Sequence, residues 1–239
     1  MNNIIKDIHE ALAVLSIPEK AAFFPKFFKT GKGEYGEGDV FLGVKVPDQR
    51  VVAKEYYSKI SLKELGELLS SKFHEHRLTA LFMLINKFEK TKDPKNKEEI
   101  VKFYLDHLPF VNNWDLVDSS CYKILGRYAF ENKKENLLRD LSNSDDMWHK
   151  RIAVVGTMHY VKKGSFDLTK EFVTNNLKHS HDLMHKANGW LLREMGNKNE
   201  EELISYLSKY YKDMPRTCLR YAIEKLDEEV RQDYLKGRI

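Results

Sequence analysis

Apolar residues recur at intervals of three or four along most of the chain, and this period predicts α-helices. From residue 48 onward it predicts helices over 48–59, 61–70, 75–90, 96–108, 114–131, 133–141, 147–162, 166–178, 183–195, 200–212, 215–226 and 227–236. Ser61 and Glu64 form a capping-box pattern at one helix start. Pro94, Pro109 and Pro215 mark junctions, because proline disrupts a helix interior. Alternating apolar and polar runs are too short for a large sheet, so we expect an all-α fold.

A glycine-rich stretch interrupts this pattern. Residues 30–39 hold four of the twelve glycines and separate two N-terminal helices from the rest of the chain. The glycine spacing does not match a nucleotide-binding loop, which needs a strand–loop–helix setting. Two interpretations stay open: a flexible connector, or a short hairpin or arm that contacts a ligand through Lys32 and Tyr35.

A second pattern repeats along the chain. A basic residue is followed by small residues and then by bulky apolar ones at Arg77, Arg151, Lys186 and Arg216. A helix pair that recurs every ~30–37 residues is typical of HEAT-like helical-repeat solenoids. Stacked repeats place equivalent residues along one concave surface. We therefore predict a single HEAT-like domain over residues 1–239, with about six helix pairs and a basic groove lined by these residues and by Lys150.

Composition and charge narrow the possible environment and partner. Basic and acidic side chains balance in residues 1–120, so the net charge of +4 comes from residues 121–239 and mildly favours a polyanionic partner. Cys121 and Cys218 are far apart, which is typical of a reducing cytosol. The acidic, amphipathic stretch from Met1 to Leu15 is unlike a signal peptide, and no apolar run reaches ~18 residues. We expect a cytoplasmic protein without membrane attachment.

Four residues could form a chemical site. Trp114 and Asp118 would share one helix face, after the candidate N-cap residues Asn112 and Asn113. Arg151 and Trp190 lie at the corresponding positions of later repeats. Each residue type also has a common structural role: tryptophan in a core, aspartate on an exposed face, arginine in a salt bridge. Only their equivalent positions in successive repeats favour one site formed by all four residues.

At these residues the sequence resembles the AlkD-like DNA alkylation repair family, HEAT-like proteins that include DNA glycosylases. The resemblance runs from about residue 20 to residue 226. The matching segments are Phe41–Val44 with Pro47 and Arg50, Asn113–Asp118, Trp148–Ala153, Lys186–Glu194 and Met214–Thr217.

This resemblance implies a role for each matching residue. Asp118 matches the catalytic aspartate, Trp114 and Trp190 match the two indoles beside the lesion, and Arg151 matches an arginine that holds the DNA. Arg193 lies in a matching segment and joins the expected DNA contacts. The implied reaction is hydrolysis of the N-glycosidic bond of an N3- or N7-alkylated purine. We expect alkylated or distorted double-stranded DNA as partner, a monomer, and no metal or organic cofactor.

Two features keep other functions open. Relatives with a hairpin where residues 30–39 lie look like binders of branched or bent DNA that lack glycosylase activity, and Phe27 offers no hydroxyl to a DNA backbone. The sequence is therefore compatible with a glycosylase, with a non-catalytic DNA-binding protein, or with a scaffold that binds other proteins on its concave face.

Overall fold

In a computed structural model, which describes residues 4–239, the secondary structure of the protein is helical, and the predicted all-α class is confirmed. Residues 1–3 of the N-terminal stretch lie outside the described residues. None of the helices in the described range combines the length and apolar composition that crossing a bilayer requires. The chain divides into two compact units, an N-terminal unit (residues 1–120) and a C-terminal unit (residues 121–239). A single repeat domain stays a prediction.

The helices that begin in the N-terminal unit are α1 (Ile4–Val14), α2 (Pro18–Phe27), α3 (Val46–Tyr56), α4 (Leu62–Leu69), α5 (His74–Lys90), α6 (Pro94–Asp106) and α7 (Trp114–Cys121). A short 3-10 turn, Leu108–Phe110, precedes α7. The predicted capping box is present, because Ser61 accepts from the Glu64 amide while the Glu64 carboxylate accepts from the Ser61 amide.

Helix α5 is the centre of the N-terminal unit. It packs against α3, α4 and α6, and every side chain from His74 to Ile85 is buried. A helix buried on all sides is normally apolar throughout. Instead α5 begins with the polar run His74-Glu75-His76-Arg77. Buried polar groups need hydrogen-bond partners, so the start of α5 requires a polar network around it.

The helices of the C-terminal unit are α8 (Arg127–Asn132), α9 (Asn136–Ser142), α10 (Met147–Gly156), α11 (Met158–Lys162), α12 (Asp167–Asn175), α13 (Asp182–Lys198), α14 (Glu200–Tyr210), α15 (Arg216–Ala222) and α16 (Glu228–Lys236). Helix α13 packs against α10, α11, α12, α14 and α15. A Cβ at Gly189 of α13 would lie 2.4 Å from the carbonyl oxygen of Cys218, so the close approach of α13 to α15 needs glycine.

Two predicted helices are interrupted in the structure. The one expected over 114–131 contains a π-helical segment, Tyr122–Gly126, and the one expected over 147–162 divides at Thr157 into α10 and α11. Lys133 ends α8 in the left-handed conformation, which delays the start of α9 to Asn136. Helical periodicity does not resolve such breaks, since the apolar spacing continues through them.

The glycine-rich segment is a loop rather than a hairpin. Residues 31–38 form successive bends and turns, in which the Glu34 and Glu37 carboxylates accept hydrogen bonds from the amides of Gly31 and Gly33 at 2.8 Å each. Only an isolated parallel bridge between Val40 and Phe73 follows. These local side-chain bonds satisfy the backbone without a partner strand, so no hairpin forms.

Candidate functional site

Helix α7 presents two of the predicted site residues on its more exposed face. Trp114 and Asp118 are half-buried, whereas Leu116 and Val117 are fully buried. Residues four apart on an α-helix lie one above the other. The indole of Trp114 and the carboxylate of Asp118 therefore lie on the same side of α7.

A buried imidazole ties the start of α7 to α5 and to the end of the glycine-rich loop. His74 Nε2 lies 2.8 Å from an Asp115 carboxylate oxygen, and His74 Nδ1 lies 2.9 Å from an Asp39 carboxylate oxygen. His74 is only 2% exposed. Because both ring nitrogens face acceptors, both must carry protons. We call this carboxylate–imidazolium–carboxylate arrangement the His74 bridge.

The pKa values agree with an ionised bridge. Burial by itself would lower the pKa of His74, but the charges and hydrogen bonds of Asp115 and Asp39 outweigh it and raise the pKa to about 9. Burial would raise the pKa of Asp39, but the hydrogen bond from His74 and the charge of Arg77 more than offset this, so the pKa is lowered. His74 is thus protonated at neutral pH, and the N-terminal turn of α7 is held by charge.

Arg77 lies in the same network instead of facing solvent. Its guanidinium donates to Asp39 Oδ1 at 2.5 Å and to Asn112 Oδ1 at 2.6 Å, and the residue is 4% exposed. Asn113 also donates to Asp39, at 3.2 Å. The His74 bridge contains two negative carboxylates and one positive imidazolium. The positive charge of Arg77 balances the remaining negative charge. The expected contact of Arg77 with DNA finds no support in this placement, because the residue is buried and internal partners bind both terminal nitrogens of its guanidinium.

Aromatic rings cover the His74 bridge. The Phe28 ring stacks on Trp114, with centroids 5.4 Å apart, and on Phe41, at 5.0 Å. Phe41 in turn stacks on His74 at 4.9 Å, while Phe27 meets Trp114 edge-on at 6.0 Å. Phe28 and Phe41 therefore cover the imidazole of the bridge, and Phe28 covers one face of the Trp114 indole. The other two predicted residues of this unit lie in the loop, where Lys32 is exposed and Tyr35 is half-buried.

In the C-terminal unit, the predicted residues of α10 differ in their surroundings. Arg151 is 4% exposed and donates a short hydrogen bond to the backbone carbonyl of Leu183, at the start of α13. Lys150 is half-buried, and after burial its charge is the largest of the effects that lower the pKa of His179. Arg151 thus connects two helices of this unit, while Lys150 lies nearer to solvent.

Three predicted residues follow one stripe of α13. Lys186, Trp190 and Arg193 are spaced as i, i+4 and i+7, which places them on one side of the helix. All three are half-buried, and the Trp190 indole N–H donates to Glu194 at 3.2 Å. The two cations also have local acidic neighbours: Lys186 pairs with Asp182 at 2.8 Å, and Arg193 pairs with Glu224.

Arg216 borders a cationic surface cavity of the C-terminal unit. The cavity of about 570 Å³ lies between α15 and α16. Four cations line it: Arg216, Arg220, Arg231 and Lys236. Arg216 is exposed and donates to the Leu235 carbonyl at 2.7 Å, so part of the guanidinium is already oriented. A cavity with this lining suits a phosphate oxygen.

The residues that hold α7 in place are those that sequence reasoning missed. Asp39 was placed only as the end of a glycine-rich segment, and His74 was not singled out at all. The available signal was the polar run His74–Arg77 at the start of a long apolar helix, because such a run requires buried partners. The identity of those partners, Asp39 and Asp115, depends on tertiary structure.

Comparisons with known proteins agree with this architecture. A family model described as "DNA alkylation repair enzyme" matches residues 8–226. A solved structure described as a predicted DNA alkylation repair enzyme from Enterococcus faecalis aligns with a TM-score of 0.68 at 16% identity, covering 89% of this chain and 97% of that one. At this identity the structural likeness establishes the shared fold. The curated proteins include no match to the chain.

The family match covers nearly the whole chain and both units. It includes α7 with Trp114 and Asp118, and also the cation-bearing helices α10, α13 and α15. This coverage supports a role in DNA repair and DNA as the partner. The protein belongs to the DNA alkylation repair enzyme family.

Proposed function

We propose that the protein is a DNA glycosylase that hydrolyses the N-glycosidic bond of cationic, N3- or N7-alkylated purines in duplex DNA. The observation that carries this proposal is the shared face of α7, where Trp114 and Asp118 lie half-exposed above a turn fixed by the His74 bridge. A carboxylate and an indole on a rigid element suit the stabilisation of a cation, because they need little reorganisation when charge develops.

The proposed step needs few protein groups. The bond from sugar C1′ to the purine nitrogen breaks, its electron pair neutralises the alkylated base, and positive charge develops on the sugar. Water then adds to C1′ and loses a proton. A carboxylate ~4 Å from that charge, at an effective dielectric constant of ~20, contributes up to about 4 kcal/mol, or about three decades in rate. Asp118 has this role, and no general acid is needed because the leaving base is already cationic.

The two tryptophans have a supporting role in the proposal. An indole face attracts a nearby cation through its quadrupole, which contributes about 0.5–2 kcal/mol depending on desolvation. Trp114 has one face held by Phe28, so its remaining surface would meet the DNA. Trp190 has the corresponding role in the C-terminal unit, where its N–H is already bound to Glu194.

DNA binding is assigned mainly to the C-terminal unit. Its cations include Lys150, Lys186, Arg193 and Arg216, all of which have some exposure to solvent. Phosphate contacts by such residues position a duplex without reading its sequence. Arg151 is proposed to hold the α10–α13 connection close to the DNA, through its bond to the Leu183 carbonyl.

The proposal is tested by Asp118→Asn. Alkylated duplex DNA is incubated with wild type and variant, and free 3-methyladenine and 7-methylguanine are measured. We expect the variant to lose about 10²–10³-fold in base release while its DNA affinity is kept or slightly raised. Asp145→Asn is the matched control, because it removes the same charge at an exposed position outside the helices. Release by Asp118→Asn at the wild-type rate contradicts the assignment.

A second candidate is a non-catalytic protein that binds branched or distorted DNA. It is favoured by the glycine-rich loop, which joins the exposed Lys32 to the network around Asp39 without adding a catalytic group. The same assay separates the two functions. Absence of base release by wild type, together with tighter binding of a four-way junction than of a linear duplex, selects this candidate.

A further inference from the structure

Helix α2 exposes two aromatic side chains that the proposed chemistry does not use. Phe23 and Phe27 are 55% and 50% exposed, one helical turn apart, with ring centroids 5.9 Å from each other and planes inclined by 29°. The other large apolar side chains exposed in residues 4–239 are valines and one isoleucine. Because exposed phenylalanine is disfavoured in water, a paired aromatic patch indicates a binding surface.

The charges around this pair are mostly positive. After Glu19, an exposed acid in the first turn of α2, residues 20–33 contain four lysines and no acidic residue. Lys26, Lys29 and Lys32 are exposed, and none of them has a carboxylate partner among the described residues. The next acids along the chain, Glu34 and Glu37, are bound to the amides of Gly31 and Gly33. Aromatic faces bordered by unpaired cations are complementary to a polyanion that carries aromatic rings.

We propose that α2 and the start of the glycine-rich loop form a docking surface for unpaired nucleotides of DNA. The bases stack on Phe23 and Phe27, and the phosphates contact Lys26, Lys29 and Lys32. This proposal rests on the proposed DNA-binding function but not on catalysis by Asp118. Phe27 also lies 6.0 Å from Trp114, so a strand on this surface would end beside α7. The protein would therefore prefer duplexes that carry a gap, a bulge or a single-stranded tail.

The chemistry favours nucleotides over a protein partner. A purely apolar contact would be satisfied equally by leucine, whereas stacking on a base needs a π face. Every base has such a face, so binding at this surface should not depend strongly on sequence. Lysines alone would bind the tail phosphates whether or not bases are attached. Base stacking and phosphate attraction can thus be measured separately.

The test compares three DNA molecules in a fluorescence anisotropy titration: a blunt duplex, the same duplex with a short single-stranded tail, and the tailed duplex with abasic residues in the tail. Wild type should bind the tailed duplex more tightly than the abasic-tailed one. The double variant Phe23→Ala/Phe27→Ala should lose about 5- to 100-fold of the affinity for the tailed duplex and keep its affinity for the blunt one. Both side chains are at least half exposed, so the melting temperature should fall only slightly, through loss of the edge contacts of Phe27 with Phe28 and Trp114.

Phe23→Leu/Phe27→Leu is the discriminating variant, because it keeps apolar area and removes the rings. Loss of tail preference in this variant supports stacking, and full tail preference overturns it. Equal affinity of wild type for the normal and abasic tails also overturns the proposal. If the blunt duplex binds but the tail adds nothing, this inference alone fails. If no DNA binds, the proposed DNA-binding function fails with it.

Discussion

Two pairs of cations, one in each unit, are held in opposite ways. In the N-terminal unit, His74 and Arg77 are almost completely buried among carboxylates and amides. In the C-terminal unit, Lys186 and Arg216 retain contact with water and have local partners, Asp182 and the Leu235 carbonyl. Removing the partner of a buried charge destabilises the folded protein by several kcal/mol. An exposed ion pair contributes less than about 1 kcal/mol to the free energy of unfolding.

This difference separates positioning from binding. Buried charges in the N-terminal unit fix where α7 begins and so orient Trp114 and Asp118. Lys186 and Arg216 of the C-terminal unit keep enough exposure for their charge to act on a ligand. The same sequence pattern, a basic residue followed by small and bulky ones, occurs at Arg77 and at Arg216. The environment of the cation, rather than the pattern, determines which role it has.

The largest expected effect comes from removing a buried cation. Arg77→Leu leaves Asp39 with His74 and Asn113 but without its guanidinium, and we expect the free energy of unfolding to fall by about 3–5 kcal/mol. Arg216→Leu, which alters an exposed residue, should lower it by less than about 1 kcal/mol. Denaturant titration gives both values, and amide hydrogen exchange across α5 reports the N-terminal unit separately. Similar losses in the two variants would contradict the contrast between buried and exposed cations.

The second effect is a pH dependence of stability set by two histidines of α5. The folded pKa of His74, about 9, lies above its unfolded value of 6.5, so its contribution is complete below pH 6.5 and is lost as pH rises to about 9. Burial, aided by the charge of the stacked His9, lowers the pKa of His76 to about 4. Its contribution is therefore lost as pH falls from 6.5 towards 4, and stability should be greatest near pH 6.5.

The loss of stability above pH 6.5 and the loss below it can be tested with separate variants. His74→Gln should abolish most of the decline between pH 6.5 and 9, a change of roughly 3 kcal/mol in wild type. His76→Gln should make the decline on the acid side shallower and leave the alkaline side unchanged. Melting temperature measured across pH 4–9 tests both variants. An alkaline decline that persists in His74→Gln would show that the bridge is not the titrating group.

Much of the architecture follows from local patterns in the sequence. The apolar period predicts most helices, because a buried face recurs every turn whatever it packs against. The capping box at Ser61 and Glu64 is similarly local. The breaks at Thr157 and Tyr122–Gly126 are not local, since the apolar spacing continues through both. They depend on how neighbouring helices approach, as at Gly126, where a Cβ would lie 2.1 Å from the Gly156 carbonyl oxygen.

In the candidate site, too, some features follow from local sequence and others depend on tertiary contacts. The common face of Trp114 and Asp118 needs only helical geometry, so their spacing was sufficient to predict it. The burial of Arg77 could not be predicted, because its partner Asp39 is 38 residues away in sequence. The exposure of Phe23 and Phe27 was also invisible, since a phenylalanine-rich helix normally indicates a core. Sequence periodicity identifies faces, and only tertiary contacts decide which face meets water.

The smallest expected effect concerns the exposed cations of the C-terminal unit. Each phosphate contact that is lost should reduce the slope of log affinity against log salt by about 0.9 for duplex DNA. Lys150→Ala and Arg216→Ala should each lower this slope by about one and weaken binding similarly for all sequences. Lys95→Ala, at an exposed position of α6, is the matched control and should leave the slope unchanged. If the control reduces the slope as much as Lys150→Ala does, the attraction reflects net charge alone, and the division between positioning and binding cations loses its functional meaning.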